Sequence, residues 1–252
     1  DSSSPAGPGD ASNTATVTTE VTAQGDLRLI PDAGMLDSPE QHFSVVHRPQ
    51  WDKKPAKWAY ATNDQTDNHH ARARVGYNPA STALHRSFFK FLTSDLAGKY
   101  VHSARVQMNL DHSWSCDFTP TSMWLADAIG TGSSGGRVTW GTKLRTPLVA
   151  ASSHANDANG CGQNRNDMPV QFDNAAVRNQ VQGAANGRWT DITFGFCACD
   201  LNGAMEGYAV RWKLFHAADA TLIVEYDSIP GTPERLMVEP DTDCSVPIST
   251  GT

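Results

Sequence analysis

The chain has 252 residues and a mass of 27.2 kDa, with 20 basic residues against 27 acidic ones and a net charge of −7. That length carries one large domain or two small ones, each with a real core. A mean hydropathy of −0.44 and a charged fraction of 19% exclude a membrane-embedded protein and a charge-driven disordered chain. No run approaches the ~20 apolar residues of a membrane helix, and no basic block is present to hold a phosphate backbone. Neither membrane insertion nor a nucleic-acid partner is therefore expected.

The acidic residues are 21 Asp and only 6 Glu, and the basic ones are 7 Lys against 13 Arg. Glu and Lys are good helix formers, whereas Asp belongs to turns and caps. The balance excludes a helical bundle and points to β-sheet with many polar turns.

In chain order, residues 1–13 are rich in Ser, Pro, Gly and Asp and read as a disordered tail. Residues 14–30 alternate apolar and polar around Gly25-Asp26, a hairpin signal, so 14–50 reads as a β-rich segment of a preceding region. His42–His47 reads as a further short strand. The main domain is expected over 51–228. Its strand candidates are Trp58–Thr62, Arg72–Tyr77, Arg86–Leu92, His102–Leu110, Ser122–Ala126, Val170–Phe172, Trp189–Ala198, Ala209–Phe215 and Thr221–Tyr226. Many short strands separated by turns imply a sandwich or barrel. One helix is expected over Asn174–Gln182, capped by Asn174 or Asp173 and followed by Gly183. Residues 229–252, with four prolines around the short run Arg235–Glu239, read as a linker into a following module. The chain thus has the organisation of a piece of a longer multidomain protein.

Five cysteines suit an oxidising compartment and hence a secreted or cell-surface location, and their spacings do not resemble a zinc site. Cys116 and Cys161 would close a loop of about 45 residues, a disulfide worth ~3–4 kcal/mol in the chain-entropy model. Cys197 and Cys199, two apart on a strand, face one side, and a direct bond between them is expected to be strained. Cys244 is left to reach one of them or a partner beyond this chain.

Several motifs recur in a recognisable order: Arg74-Val-Gly-Tyr77, Arg86-Ser-Phe-Phe-Lys-Phe91, Leu96-Ala-Gly-Lys99, Val101-His-Ser-Ala-Arg-Val106 and Ser113-Trp-Ser-Cys116. They continue with Trp140, Gly160-Cys161, Trp189-Thr-Asp-Ile-Thr-Phe-Gly195, Asp200, Trp212-Lys-Leu-Phe215 and Leu222-Ile-Val-Glu-Tyr226. Over about 58–226 this set resembles the DNRLRE-type jelly-roll domain of large secreted actinobacterial proteins, which is related to a carbohydrate-binding module family. The resemblance implies an all-β antiparallel sandwich with a jelly-roll path and one short helix, here preceded by a small hairpin. It also implies adjacent domains of a parent chain as partners. Two features depart from the pattern: Trp140-Gly141 stands where the family has a tryptophan-asparagine pair, and Phe196-Cys-Ala-Cys-Asp200 where a Leu-Arg-Ala-Ser-like run is usual.

Glycan recognition needs planar hydrogen-bonding groups beside an aromatic platform. On the strand His102–Leu110, Val106, Met108 and Leu110 share one face, and Arg105, Gln107 and Asn109 the other, a floor suited to sugar hydroxyls. Trp124 and Trp140 lie near loops and are the candidate stacking platform; Tyr77 stands in a similar position. Trp114, Trp189 and Trp212 read as core. Asp64, Asp67 and Asn68 form an oxygen-rich loop that suits a structural Ca²⁺. His69, His70 and His85 read as surface residues rather than ligands.

Enzyme signatures fail. Gly132-Ser-Ser-Gly-Gly136 matches G-x-S-x-G only formally, because it lies in a Thr/Gly/Ser loop with no strand before it and no helix after it. No carboxylate pair stands out for glycoside hydrolysis. The expected function is a non-catalytic carbohydrate-binding module with a polysaccharide or glycan partner. The alternative is a structural spacer or interaction module of a surface protein or polymorphic toxin.

Overall fold

The computed structural model describes residues 16, 18–21, 27–30, 49–64, 72–130, 138–153 and 167–227. The chain divides into two compact units, Asp1–His47 and Arg48–Thr252. In the first, β1 (Thr18–Val21) pairs antiparallel with β2 (Leu27–Ile30), Thr18 opposite Ile30 and Val21 opposite Leu27. This is the expected hairpin. The strand expected over His42–His47 and the linker expected after 228 lie outside the described residues.

The second unit is built of β3 (Gln50–Lys53), β4 (Lys57–Thr62), β5 (Arg72–Asn78), β6 (Ala83–Leu92), β7 (Tyr100–Ser113), β8 (Thr119–Ala126) and β9 (Leu144–Ser153). These are followed by β10 (Met168–Asp173), α1 (Ala175–Asn186), β11 (Asp191–Cys197) and β12 (Lys213–Asp227). Hydrogen-bonded neighbours run β10-β7-β12-β5 in one layer and β6-β11-β8-β9 in the other, with β3 added beside β12 and β4 beside β6. Antiparallel partners are nested: β5 with β12, β6 with β11, β7 with β10 and β8 with β9. A long hairpin rolled up on itself gives this nesting, which is the jelly-roll path. The fold is an all-β antiparallel sandwich with one helix among the described residues, as the sequence suggests.

The two layers meet at β5. Its first half, Arg72–Val75, pairs with β12, and its second, Gly76–Asn78, pairs with β6. The change of layer falls at Gly76, whose φ is +89°. A β-carbon there would stand 2.7 Å from that of the buried Ala198, so this corner needs a residue without one.

Alternation along the strands fills the core. Phe89 and Phe91 of β6, Phe194 and Phe196 of β11, and Val106, Met108 and Leu110 of β7 all point between the layers, joined by Phe172, Phe215 and Leu222. Phe196 meets Phe89 and Phe172 edge-on, at 5.5 and 5.0 Å between centroids. Helix α1 adds Val177, Val181, Ala184 and Ala185 at i, i+4, i+7 and i+8. Asn174 caps it, its side-chain oxygen accepting from the Val177 N–H at 3.0 Å. The helix runs past Gly183, where the sequence suggests a stop. Burial of Ala184 and Ala185 offsets the weak helix propensity of one glycine, and the N–H groups of Gly98 and Trp189 take up the last carbonyls.

Three other expectations change. The segments 209–215 and 221–226 are not two strands: 209–211 is a 3-10 turn, and β12 runs unbroken as one strand from Lys213 to Asp227 with register shifts. β9 escapes a reading by pattern because Pro147 interrupts it, which is tolerated because β9 is the edge of its layer. Of the tryptophans expected in the core, Trp212 is buried, but Trp114 and Trp189 are 50% and 42% exposed. Both stand just outside a strand, Trp114 beyond the end of β7 and Trp189 in the turn between α1 and β11.

Candidate functional site

The layer β6-β11-β8-β9 is covered on its outer face, and one glycine controls how. Gly195 of β11 stands between Phe88 of β6 and Trp124 of β8 in one cross-strand row. Its missing side chain leaves a notch, and Leu144 at the start of β9 occupies it: a β-carbon on Gly195 would meet the Leu144 side chain and stand 3.1 Å from Phe88 and from Ala126. Leu144 thus fastens the β8–β9 connection to the sheet. Phe88, Ala59 and Ala61 of the sheet and Ile129 and Val138 of that connection form a second apolar cluster, with Trp140 packed against it.

Beside this cover lies an open cleft of about 300 Å³, lined by Arg86, Trp124, Trp140, Thr142, Lys143, Cys199 and neighbouring backbone. The two tryptophans singled out as a stacking platform therefore meet in one place, although they come from a strand and from a loop. They are not equivalent. Trp124 is only 8% exposed and packs on Cys197, Cys199 and Leu144, so it is a wall rather than a platform. Trp140 is half-buried and carries the Arg86 guanidinium over its ring, 4.3 Å from the centroid. Arg86 is held in turn by the buried carboxylate of Glu206, with Nε donating at 2.9 and 3.2 Å and Nη2 at 2.8 Å. Lys143 and Thr142 stand at the rim, Lys143 exposed. The sequence reading did not select Arg86 or Glu206, which are 120 residues apart; the signal available was an Arg on the outward side of an otherwise aromatic strand.

A disulfide joins Cys197 and Cys199 beside this cleft, with the Cα atoms 5.1 Å apart. The sequence reading disfavours that bond on the assumption of an extended strand through both residues. In fact β11 ends at Cys197 and the chain bends at Ala198 and Cys199, which brings the Cα atoms within ordinary disulfide reach. Cys116 is also disulfide-bonded; Cys161, its expected partner, lies outside the described residues.

The other selected residues do not join the cleft. Arg105, Gln107 and Asn109 do alternate with buried Val106, Met108 and Leu110, but on the outer face of the opposite layer. There Gln171 donates to Gln107 at 3.4 Å and Asn109 donates to Asp219 at 3.0 Å, so these amides partly satisfy one another across strands. Tyr77 sits at the β5 corner, opposite Leu84. Of the calcium loop, Asp64 is exposed in the turn after β4, and Asp67 and Asn68 lie outside the described residues, as do His69 and His70. His85 is not a surface residue: it is 2% exposed, with its ring edge-on to Trp212 at 4.8 Å and Nδ1 3.2 Å from the Ala83 carbonyl. Burial, followed by the charge of Arg74, lowers its pKa to about 4.

A second exposed aromatic group occupies one end of the sandwich. The Trp114 N–H donates to the Trp212 carbonyl at 3.0 Å, tying the 114–118 loop to the 208–212 turn; Trp114, Phe118, Tyr208 and Val210 are all about half or more exposed there.

No family model and no curated protein matches the chain.

Proposed function

We propose that the second unit is a non-catalytic carbohydrate-binding module of the DNRLRE jelly-roll kind, working outside the cell as part of a larger protein, and that its glycan sits in the Trp140 cleft. One observation carries this reading: Trp124 and Trp140, from separate elements, wall one open cleft of about 300 Å³ whose polar groups are Arg86, Thr142 and Lys143. A cleft of that size suits one or two sugar rings in contact with the protein. Sugar C–H groups pack on the open part of the Trp140 ring, while Lys143 and Thr142 donate to hydroxyls. Arg86, fixed by Glu206, keeps the ring in place. The calcium expected at Asp64, Asp67 and Asn68 belongs to the same reading; it predicts a rise in Tm on adding Ca²⁺ that Asp64→Asn abolishes.

A glycan-array screen of the full chain, repeated with Trp140→Ala and with a Trp114→Ala/Tyr208→Ala pair, tests the proposal. Binding that Trp140→Ala abolishes supports it. Binding lost only with the Trp114/Tyr208 pair moves the site to the aromatic end of the sandwich. A folded chain that binds no glycan favours the spacer reading instead.

A further inference from the structure

We propose a divalent transition-metal site, with Zn²⁺ as its probe ion, formed by Asp111, Asp167 and His216 on the outer face of the β10-β7-β12-β5 layer. This is the layer opposite the tryptophan cleft, and the inference stands independently of the glycan reading. The sheet brings the three together by register. His216 of β12 lies opposite Asn109 of β7 and Arg72 of β5. Asp111, two residues after Asn109, shares its outward face. Asp167 immediately precedes β10, whose Met168 lies opposite Leu110. One ligand atom from each of the three residues falls within 4.8 Å of the others.

The surroundings of the imidazole nitrogen point to a ligand. His216 Nε2 is shut off from solvent and makes no hydrogen bond. Yet Asp167 Oδ2 stands 2.6 Å and Asp111 Oδ1 3.3 Å from it. Neither contact is a hydrogen bond of the ring nitrogen. Three donor atoms instead surround a common space. Zinc–nitrogen and zinc–oxygen bonds of about 2.0–2.2 Å place tetrahedral ligand atoms roughly 3.3 Å apart, the separation of Nε2 and Asp111 Oδ1. Asp167, whose side chain is 50% exposed, has room to rotate and open the shorter separation.

The surroundings suit the assignment. Arg72 forms an ion pair with Asp111 through Oδ2, which leaves Oδ1 turned toward His216; carboxylate ligands are commonly oriented by such an outer partner. Two carboxylates against one guanidinium place an excess of negative charge around the imidazole. The nitrogen donor favours zinc, nickel or copper over calcium or magnesium, which prefer all-oxygen cages. Three protein ligands leave one position of a tetrahedral zinc ion to water or to a ligand from solution.

The test is titration of Zn²⁺ into chelator-stripped full-length chain by calorimetry, alongside His216→Gln and Asp167→Asn. The expected result is one zinc per chain, weakened by about 100-fold or more in each variant. Far-UV circular dichroism and Tm without zinc establish that the variants are folded; Asp167→Asn alters a half-exposed side chain outside any strand and keeps the test open should His216→Gln fail to fold. Long-range ¹H–¹⁵N spectra give an independent readout, because zinc on Nε2 should leave the proton on Nδ1 and move both ring nitrogens of His216 to the shifts of that metal-bound tautomer. Absence of zinc binding, or binding unchanged in both variants, overturns the proposal.

Discussion

Glu206 holds Arg86 through both carboxylate oxygens, and this pair connects the loop after β11 to the strand that floors the cleft. Glu206 is 7% exposed, so its charge has little water to fall back on. The bidentate geometry fixes the plane of the guanidinium and therefore its position over Trp140.

Replacing Glu206 with Gln removes the partner and leaves Arg86 a partly buried, uncompensated cation. Because the Arg86 side chain keeps 24% exposure, the penalty is smaller than for a fully buried pair, about 2 kcal/mol. Urea unfolding should show that loss of stability. Any glycan affinity measured for the native chain should fall with it, because the guanidinium is released from the Trp140 face. Unchanged stability would mean that the pair is only a surface contact.

Lys213 is the second unusual cation. Its side chain points into the sandwich, is fully buried, and donates to the Thr119 hydroxyl at 2.5 Å. Burial, with a smaller contribution from the charge of Arg211, lowers its pKa to about 7 from 10.5. The unfolded chain therefore holds a proton between pH 7 and pH 10.5 that the folded chain has released. Stability should accordingly rise with pH through that window, by up to about 5 kcal/mol from this group alone. Lys213→Met should remove the rise and be more stable than the native chain at pH 6, with the two converging near pH 10. Urea midpoints of both proteins at several pH values measure the difference. Parallel pH curves would show that Lys213 is solvated.

Much of this was readable in the sequence where one physical rule decided the outcome. Alternation assigned Val106, Met108 and Leu110 to the core and Arg105, Gln107 and Asn109 to the outer face, and the Asn174 cap located α1. What stayed hidden depends on contacts between distant residues. Trp124 looks like a loop tryptophan until Leu144 and the Cys197–Cys199 bridge are seen to cover it. Trp140 gains its role only from Arg86, and Arg86 only from Glu206. Cys197 and Cys199 bond because the strand ends between them, a boundary that periodicity does not mark. His216 and Asp111 are 105 residues apart and become neighbours only through the β7–β12 register.

His85 predicts a dependence in the acidic range. Its pKa of about 4 lies below the ordinary 6.5 because the ring is buried. As pH falls through that window the unfolded chain takes up a proton that the folded chain refuses, so stability is fully present above pH 6.5 and lost toward pH 4. The loss from this group is about 3 kcal/mol. His85→Phe keeps a ring against Trp212 and Tyr60 and should flatten the curve between pH 6.5 and pH 4, which thermal melts at stepped pH would show. Direct titration of the ring by NMR, if it gave a midpoint near 6.5, would contradict the burial argument.

Gly76→Ala tests the corner on which the two layers turn. At φ +89° an alanine occupies backbone space that L-residues rarely adopt. Its methyl would also stand 2.7 Å from the Ala198 β-carbon and 3.3 Å from the Arg211 carbonyl oxygen, and Ala198 is part of the core and cannot withdraw. The two costs act together and should destabilise the domain by about 3 kcal/mol or more. Ala198→Gly relieves the contact but not the backbone strain. Added to Gly76→Ala, it should therefore not recover full stability, and the shortfall against Ala198→Gly alone measures the strain. If the double variant were as stable as Ala198→Gly alone, the cost would be steric and the left-handed turn incidental.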